Sequence, residues 1–326
     1  MNFCVVTTIN SPTKAIHELH KRFGKNLIVV GDQKTPANWS YKDTTFLPIQ
    51  DQELMGFREL PYNHYARKNL GYLVAMKNRA QVIYDTDDDN IPNNKWFIRN
   101  IQVDANESIG GGWYNAYNIF STEFIWPRGF SLKQLKKHPS CGLRKFRISS
   151  IQQGLADGDP DVDAIWRLVM YKEHLFAKQK SIYIQPNTWC PFNSQSTWWF
   201  PQAYALMYLP VYATFRMTDI WRSFIAQRCL WELGQGVTFH SPSEVFQDRN
   251  KHDLIRDLRD EVDGYLNNDA IVEILSDLNL KQGQDYICEN LLACYQAIVD
   301  KGILSVMEID SVKRWIIQYG NVTRTL

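Results

Sequence analysis

The N-terminal part of the chain alternates short β-branched runs with helical spacing, and this alternation limits the possible folds more than any other feature of the sequence. Phe3 to Thr8 reads as a strand, Asn10-Ser11-Pro12-Thr13 as a turn, and a helical pattern continues through Lys21. Asn26-Leu27-Ile28-Val29-Val30, closed by Gly31-Asp32, is the next strand. A second helix is predicted from Tyr65 to Asn78, and Gln81-Val82-Ile83-Tyr84 is a third strand that runs into Asp85-Thr86-Asp87-Asp88-Asp89. Strands separated by helices predict an α/β chain with a mainly parallel open sheet, whose ligands collect at the carboxyl ends of its strands.

Beyond the turn at Gly110-Gly111-Gly112, short strands and loops are mixed, and residues 183 to 215 hold ten aromatics, Trp189, Trp198, Trp199 and Phe200 among them. A long helix is predicted from Asp219 to Leu233, ended by Gly234. After about residue 250 glycine and proline become scarce, and amphipathic spacing takes over in Leu254, Leu258, Val262 and Leu266 and in Leu291, Leu292, Tyr295 and Ile298. The predicted organisation is therefore a domain over residues 1–248 with a helical C-terminal subdomain, residues 249–326, packed on it.

Charge and cysteine content exclude several function classes. The 326 residues carry 36 basic and 35 acidic side chains, so no general electrostatic grip on nucleic acid or anionic lipid is expected. The six cysteines contain no C-x-x-C pair, which argues against structural zinc and against a disulfide framework. His17 and His20 lack a partner ligand nearby in sequence, and H-E-x-x-H does not occur. No run reaches about eighteen uninterrupted apolar residues, so the expectation is a soluble, cytoplasmic protein without a membrane span. Sequons at Asn38, Asn106 and Asn321 arise by chance in a chain of this length.

The acidic string carries the sharpest chemistry. Four carboxylates within five residues repel one another unless a cation or a set of donors neutralises them, and oxygen-rich sites favour Mg²⁺ or Mn²⁺. A calcium loop fails on detail, with Asn90 where it needs glycine and Trp96 where it needs glutamate. A solvated acidic turn is the plain alternative. Neither G-x-G-x-x-G nor G-x-x-x-x-G-K-[ST] is present, so a metal would have to hold any phosphates. A β-α-β start without a glycine fingerprint, followed by Asp-x-Asp at the end of a later strand, is what a nucleotide-sugar-dependent glycosyltransferase of the GT-A, Rossmann-like type requires.

Several segments then resemble a known family. They are Pro61-Tyr62 through Arg67-Lys68 with Gly71-Tyr72-Leu73, Ile83 through Asp88, Trp126-Pro127-Arg128-Gly129, Gln152-Gln153-Gly154 with Pro160-Asp161-Val162-Asp163, and Gln227-Arg228 with Leu230 through Gly234. In this order, over nearly the whole chain, they resemble the plant STELLO glycosyltransferase-like family. A more distant likeness, to the reversibly glycosylated polypeptides or UDP-arabinopyranose mutases, runs through Arg128 to Leu132, the Pro-Asp-Val-Asp segment and Thr218-Asp219-Ile220-Trp221.

The resemblance implies roles residue by residue. Asp85 and Asp87 match the family's metal-binding Asp-x-Asp, whereas Asp88-Asp89-Asn90 departs from it, leaving two registers, 85/87 and 87/89, that share Asp87. STELLO proteins carry a membrane anchor ahead of this domain, and a chain that starts at its first strand is expected to lack it. Thr7, Thr8 and Asn10 would meet the ribose or diphosphate and Asp32 the uracil, or all four serve ordinary turns. Arg67 and Lys68 would approach the diphosphate, or are solvated helix charges. Asp219 is a helix cap, the base of an inverting transfer, or both. Asp161 and Asp163 would bind sugar hydroxyls or cap a helix at Ala164. Arg128 matches an arginine that the mutase-like relatives glycosylate, or it neutralises charge. The aromatics from Tyr183 to Phe215 stack on a sugar acceptor or build core. The expected function is metal-dependent transfer from a nucleotide sugar, UDP-linked, to a glycan or other hydroxyl acceptor. The alternatives are a nucleotide-sugar mutase and a non-catalytic scaffold.

Overall fold

The computed structural model describes residues 1–55, 60–170, 172–240, 244–248 and 253–323. Among these residues ten strands form the main sheet: β1 (Asn2–Thr8), β2 (Leu27–Gly31), β3 (Thr45–Leu47), β4 (Val82–Thr86), β5 (Gln102–Ile109), β6 (Ser140–Ile148), β7 (Ile151–Gly154), β8 (Ile182–Ile184), β9 (Ser196–Trp199) and β10 (Val237–His240). Their order is β3-β2-β1-β4-β9-β7-β10-β8-β5-β6. The first four are mutually parallel, and β2 and β4 are buried at every position. Strands covered on both faces are written as continuous apolar runs, which is why β1, β2 and β4 were readable.

The sheet is mixed rather than mainly parallel. Five neighbouring pairs are parallel and four antiparallel. The inserted β9 runs against both β4 and β7, and this brings its N-terminal end to the carboxyl edge of β4, with Ser196 opposite Thr86. A ribbon of Asp157–Gly158, Val245–Gln247 and Asn90–Pro92 closes over the same edge and sets Gln247 beside Asn90.

Among the described residues eight α-helices cover the sheet: α1 (Lys14–Phe23), α2 (Ile49–Leu54), α3 (Lys68–Lys77), α4 (Ala164–Met170), α5 (Thr218–Trp231), α6 (Leu254–Asp277), α7 (Ile287–Asp300) and α8 (Glu308–Thr323). Helix α3 lies directly on β1 and β2 through Gly71, where a Cβ would come within 2.5 Å of Val5 and 2.8 Å of Val30. Helix α5 buries 13 of its 14 residues. One core takes in Val5, Ile28 and Leu70, then Trp199 and Phe224, and finally Leu275, Tyr295 and Trp315 of the last three helices. Buried Glu308, at the head of α8, accepts the Tyr208 hydroxyl and the Val211 and Tyr212 amides. Arg228 donates to the Leu275 and Leu278 carbonyls at the end of α6. The expected boundary at 248/249 abuts residues 249–252, which lie outside the described residues. Among the described residues no helix is long and apolar enough to cross a membrane.

Two local expectations are corrected. The stripe Leu254, Leu258, Val262 and Leu266 is not the buried face of α6: Leu266 is 72% exposed, and the helix instead buries Asp257, Glu261, Gly264, Asn268, Ile271, Val272 and Leu275. Asn268 accepts the Trp221 indole N–H and donates to the Gly129 carbonyl, and Gly264 leaves room for the Met217 sulfur. Polar partners on α5, not apolar spacing, orient α6. Asp219 does not cap α5 either, because the helix starts at Thr218 and Asp219 lies inside its first turn.

Candidate functional site

The parallel half of the sheet ends Thr8, Asp32 and the acidic string at one carboxyl edge, where ligands of open α/β sheets bind. The four aspartates there have different surroundings. Asp85, still within β4, is fully buried: Oδ1 is 2.7 Å from Lys68 Nζ, and Oδ2 accepts from Arg222 Nη1 at 3.1 Å and from the Ser194 hydroxyl at 2.9 Å. Asp87 leaves 32% of its side chain exposed; its Oδ1 accepts from Lys68 Nζ at 3.1 Å and from the Tyr65 hydroxyl. Desolvation in the recess, aided by Asp89 and opposed by Lys68, pushes the Asp87 carboxyl up to about 6. Asp88 accepts from the Thr8 hydroxyl and from Asn10 Nδ2 at 3.0 Å, and burial pushes it up as well. Asp89 accepts amide N–H groups from Asn90 at 3.1 Å and Gln247 at 3.0 Å.

Among the described residues Asp87 Oδ2 takes no hydrogen bond, and no group of three or more His, Cys, Asp or Glu side chains is arranged to hold a metal. Mg²⁺ commonly binds through one or two carboxylates together with substrate phosphates and water. The residues fit that mode through Asp87, with Asp89 beside it. They do not fit it through Asp85, whose carboxylate is enclosed by two buried cations and a serine. The geometry singles out Asp87, the aspartate that the two registers share, and Asp89 already accepts on both oxygens.

The other N-terminal candidates are structural neighbours of this edge. Thr8 and Asn10 hold Asp88, and Thr7 precedes them on β1. Asp32 accepts the backbone N–H groups of Gln33, Asn63 and His64, pinning the loop before Tyr65 to the end of β2. Arg67 is buried and does not face the string: it donates to the Pro61 and Leu60 carbonyls and to Gln52 Oε1. Lys68 is buried as well, against the expectation of a solvated charge, and it is the side chain that reaches the aspartates.

Arg128 is buried between two carboxylates. Nε and Nη2 donate to Asp161 at 2.9 and 2.6 Å, and Nη1 and Nη2 donate to Asp219 at 2.9 and 3.0 Å. Arg216 extends the chain of charges, 3.6 Å from Asp161 and 2.8 Å from Glu261 of α6. This network bears on three pairs of alternatives, and for Arg128 the contacts match the charge-neutralising one. Arg128 is enclosed and offers no open guanidinium for glycosylation. Asp161, 4% exposed, is held by Arg128 rather than offered to a sugar. Asp219, 5% exposed, accepts from Arg128 on both oxygens and from the Ser194 N–H at 3.1 Å, which is not the arrangement of an available base.

Asp163 is fully buried and performs the capping alternative, accepting the Ile165 N–H at 2.8 Å at the head of α4. Its Oδ1 also accepts the Tyr265 hydroxyl, which lies 3.2 Å from Glu261, while Oδ2 has no partner. Desolvation first, and then the Glu261 charge, push its carboxyl up to about 7. Between its ordinary value of 3.8 and about 7, the folded chain holds a proton that the unfolded chain has released. Stability from this group is thus fully present below about pH 4 and is lost as pH rises to about 7, a loss of up to about 4 kcal/mol. Asp163→Asn keeps the acceptor and cannot ionise. Urea unfolding at pH 5 and pH 8 should show the variant more stable than the native protein at pH 8, with its pH dependence flattened; equal slopes would refute the assignment.

Sequence reading missed Arg222, Tyr65, Ser194, Gln247, Arg216 and Glu261. Only Arg222 left a signal, three residues after Asp219 and so on the same face of α5. Most of the aromatics in the 183–215 segment build core; Tyr212 and Phe215 are the exposed ones, and Phe215 meets the edge of Tyr65 at 5.7 Å.

Comparison with known proteins adds a likeness over part of the chain and to part of two longer relatives. The family model for STELLO glycosyltransferases matches residues 216–314, which run from Arg216 through α5 and α6 into α8. Two curated proteins of Arabidopsis thaliana are similar over 96% of this chain: probable glycosyltransferase STELLO1 at 26% identity and probable glycosyltransferase STELLO2 at 25%. The chain spans 43% and 44% of their lengths, less than half of either relative.

Proposed function

We propose that this chain, a relative of the STELLO glycosyltransferases, transfers a sugar from a nucleotide sugar bound at the carboxyl edge of β1, β2 and β4 to a hydroxyl acceptor. The observation that carries the reading is the partition of the acidic string: Asp85 is neutralised inside the protein, while the Asp87 side chain stays 32% exposed and takes its hydrogen bonds on Oδ1 alone. Asp85, Asp87, Asp88 and Asp89 face two buried cations, Lys68 and Arg222, so the recess keeps an excess of acid that would repel a diphosphate. A divalent ion at Asp87 and Asp89 would offset that repulsion and act as Lewis acid on the leaving diphosphate. Thr8 and Asn10 order Asp88 beside the donor, and Asp32 holds the loop that carries Tyr65 to Asp87.

UDP as the nucleotide rests on the resemblance. The inverting course loses its basis with Asp219 as base, and the mutase alternative loses the accessible arginine it needed. A screen of donor hydrolysis over UDP-, GDP- and CMP-sugars, with Mn²⁺ and with EDTA, tests the reading. Slow metal-stimulated release of one nucleotide is the expected result. No hydrolysis of any donor, together with no binding of any of the three nucleotides, would overturn it in favour of a scaffold.

A further inference from the structure

Lys68 opens α3 with its side chain fully buried. Its ammonium lies 2.7 Å from Asp85 Oδ1, 2.6 Å from the Thr86 carbonyl oxygen, 3.1 Å from Asp87 Oδ1 and 3.1 Å from the Tyr65 hydroxyl. Carboxylate and carbonyl oxygens converging on one point are the donor set a hard metal ion prefers, and here the chain's own cation occupies it. Arg222 takes the other oxygen of Asp85, so two carboxylates are matched by two fixed cations.

We propose that Lys68 is a resident counter-ion that keeps divalent metal out of the free protein, so that the ion is taken up only together with an anionic donor. A bare dication at Asp87 Oδ2 would share its carboxylate with an ammonium 3.1 Å from the other oxygen, in a desolvated recess that strengthens repulsion between like charges. The adjacent carboxylates already accept hydrogen bonds, Asp88 from Thr8 and Asn10, Asp89 from Asn90 and Gln247. A nucleoside diphosphate brings the negative charge that reverses this balance, and it supplies ligands that the described residues do not preform. Lys68 is thus a positioning residue, acting on donor and metal through Asp87. The part concerning the donor rests on the proposed function; the exclusion of bare metal does not.

The test is Mn²⁺ titration followed by the electron paramagnetic resonance of the free ion, which needs no turnover. Native protein alone should take up no stoichiometric Mn²⁺ below about 1 mM, and one ion per chain when UDP is present. Lys68→Met should bind Mn²⁺ without UDP, with an apparent Kd at least about tenfold below the native value. Lys68→Arg, which keeps the charge, should exclude the ion as the native protein does. Stoichiometric uptake by native protein without UDP, or folded Lys68→Met that gains no uptake, overturns the proposal. If Lys68→Met does not fold, the native titrations decide: uptake confined to UDP supports the counter-ion, and uptake without UDP removes it. Mn²⁺ binding gained by Lys68→Met while no variant binds UDP would keep the counter-ion and discard the donor reading.

Discussion

Arg128→Met should destabilise the fold by about 5 kcal/mol, a third or more of the stability of an ordinary domain. The side chain is buried, and its three nitrogens are shared between Asp161 and Asp219 at 2.6 to 3.0 Å. Removing the guanidinium leaves two carboxylates in an environment that disfavours even one. Asp161 retains Arg216 at 3.6 Å, and Asp219 retains the Ser194 N–H. Arg128→Lys keeps the charge but cannot bridge both carboxylates with a planar fork, and about 2 kcal/mol is expected to go with the lost bonds. Combining Arg128→Met with Asp161→Asn and Asp219→Asn should recover most of the loss, because the penalty comes from uncompensated charge rather than from missing packing. Urea denaturation of the four proteins measures this series. A single Arg128→Met variant within about 1 kcal/mol of native would show that these charges are not held as described.

The same residues show where sequence stops being readable. Arg128, Asp161, Asp163 and Asp219 were all picked out, but their chemistry depends on burial, and burial was decided by partners far along the chain. Asp219 could be placed near the head of a helix, yet the arginine that occupies it lies on a loop ninety-one residues earlier. The registers 85/87 and 87/89 could not be told apart because a period-two pattern says only that Asp85, Asp87 and Asp89 share a face. Lys68 at the head of α3 and Arg222 in α5 make them unequal, and neither contact has a local signature.

Strands β1, β2 and β4 were legible because sheets covered on both faces need continuous apolar sequence, whereas the three-residue β3 beside β2 was not. Strand β9, Ser-Thr-Trp-Trp, is four residues long and carries no alternation, so its antiparallel insertion beside β4 was not. Helix α6 shows the reverse error. Its apolar stripe was plain in sequence, but the helix turns Glu261 and Asn268 inward to Arg216 and Trp221, and hydrophobic spacing cannot report a polar docking face.

Asp87→Ala should lower the affinity for UDP in Mn²⁺ by at least about a hundredfold while leaving the fold near native stability. The carboxylate is partly exposed, its partner Lys68 keeps Asp85 at 2.7 Å, and Tyr65 loses only one acceptor, so the cost to folding is about 1 kcal/mol. Asp85→Asn should behave in the opposite way. It removes the charge that Lys68 and Arg222 share inside the protein, leaves two buried cations with Asp87 alone, and should cost about 3 to 5 kcal/mol. Any residual folded fraction of that variant should still bind UDP in a metal-dependent manner, because Asp87 is intact. Calorimetric titration of UDP with Mn²⁺ and with EDTA, run beside urea unfolding on both variants, separates the two roles. If Asp87→Ala binds UDP as tightly as native protein in Mn²⁺, the recess at Asp87 is not the metal-assisted donor site. If Asp85→Asn is fully stable yet loses that binding, the metal belongs to Asp85 and the partition of the acidic string is wrong.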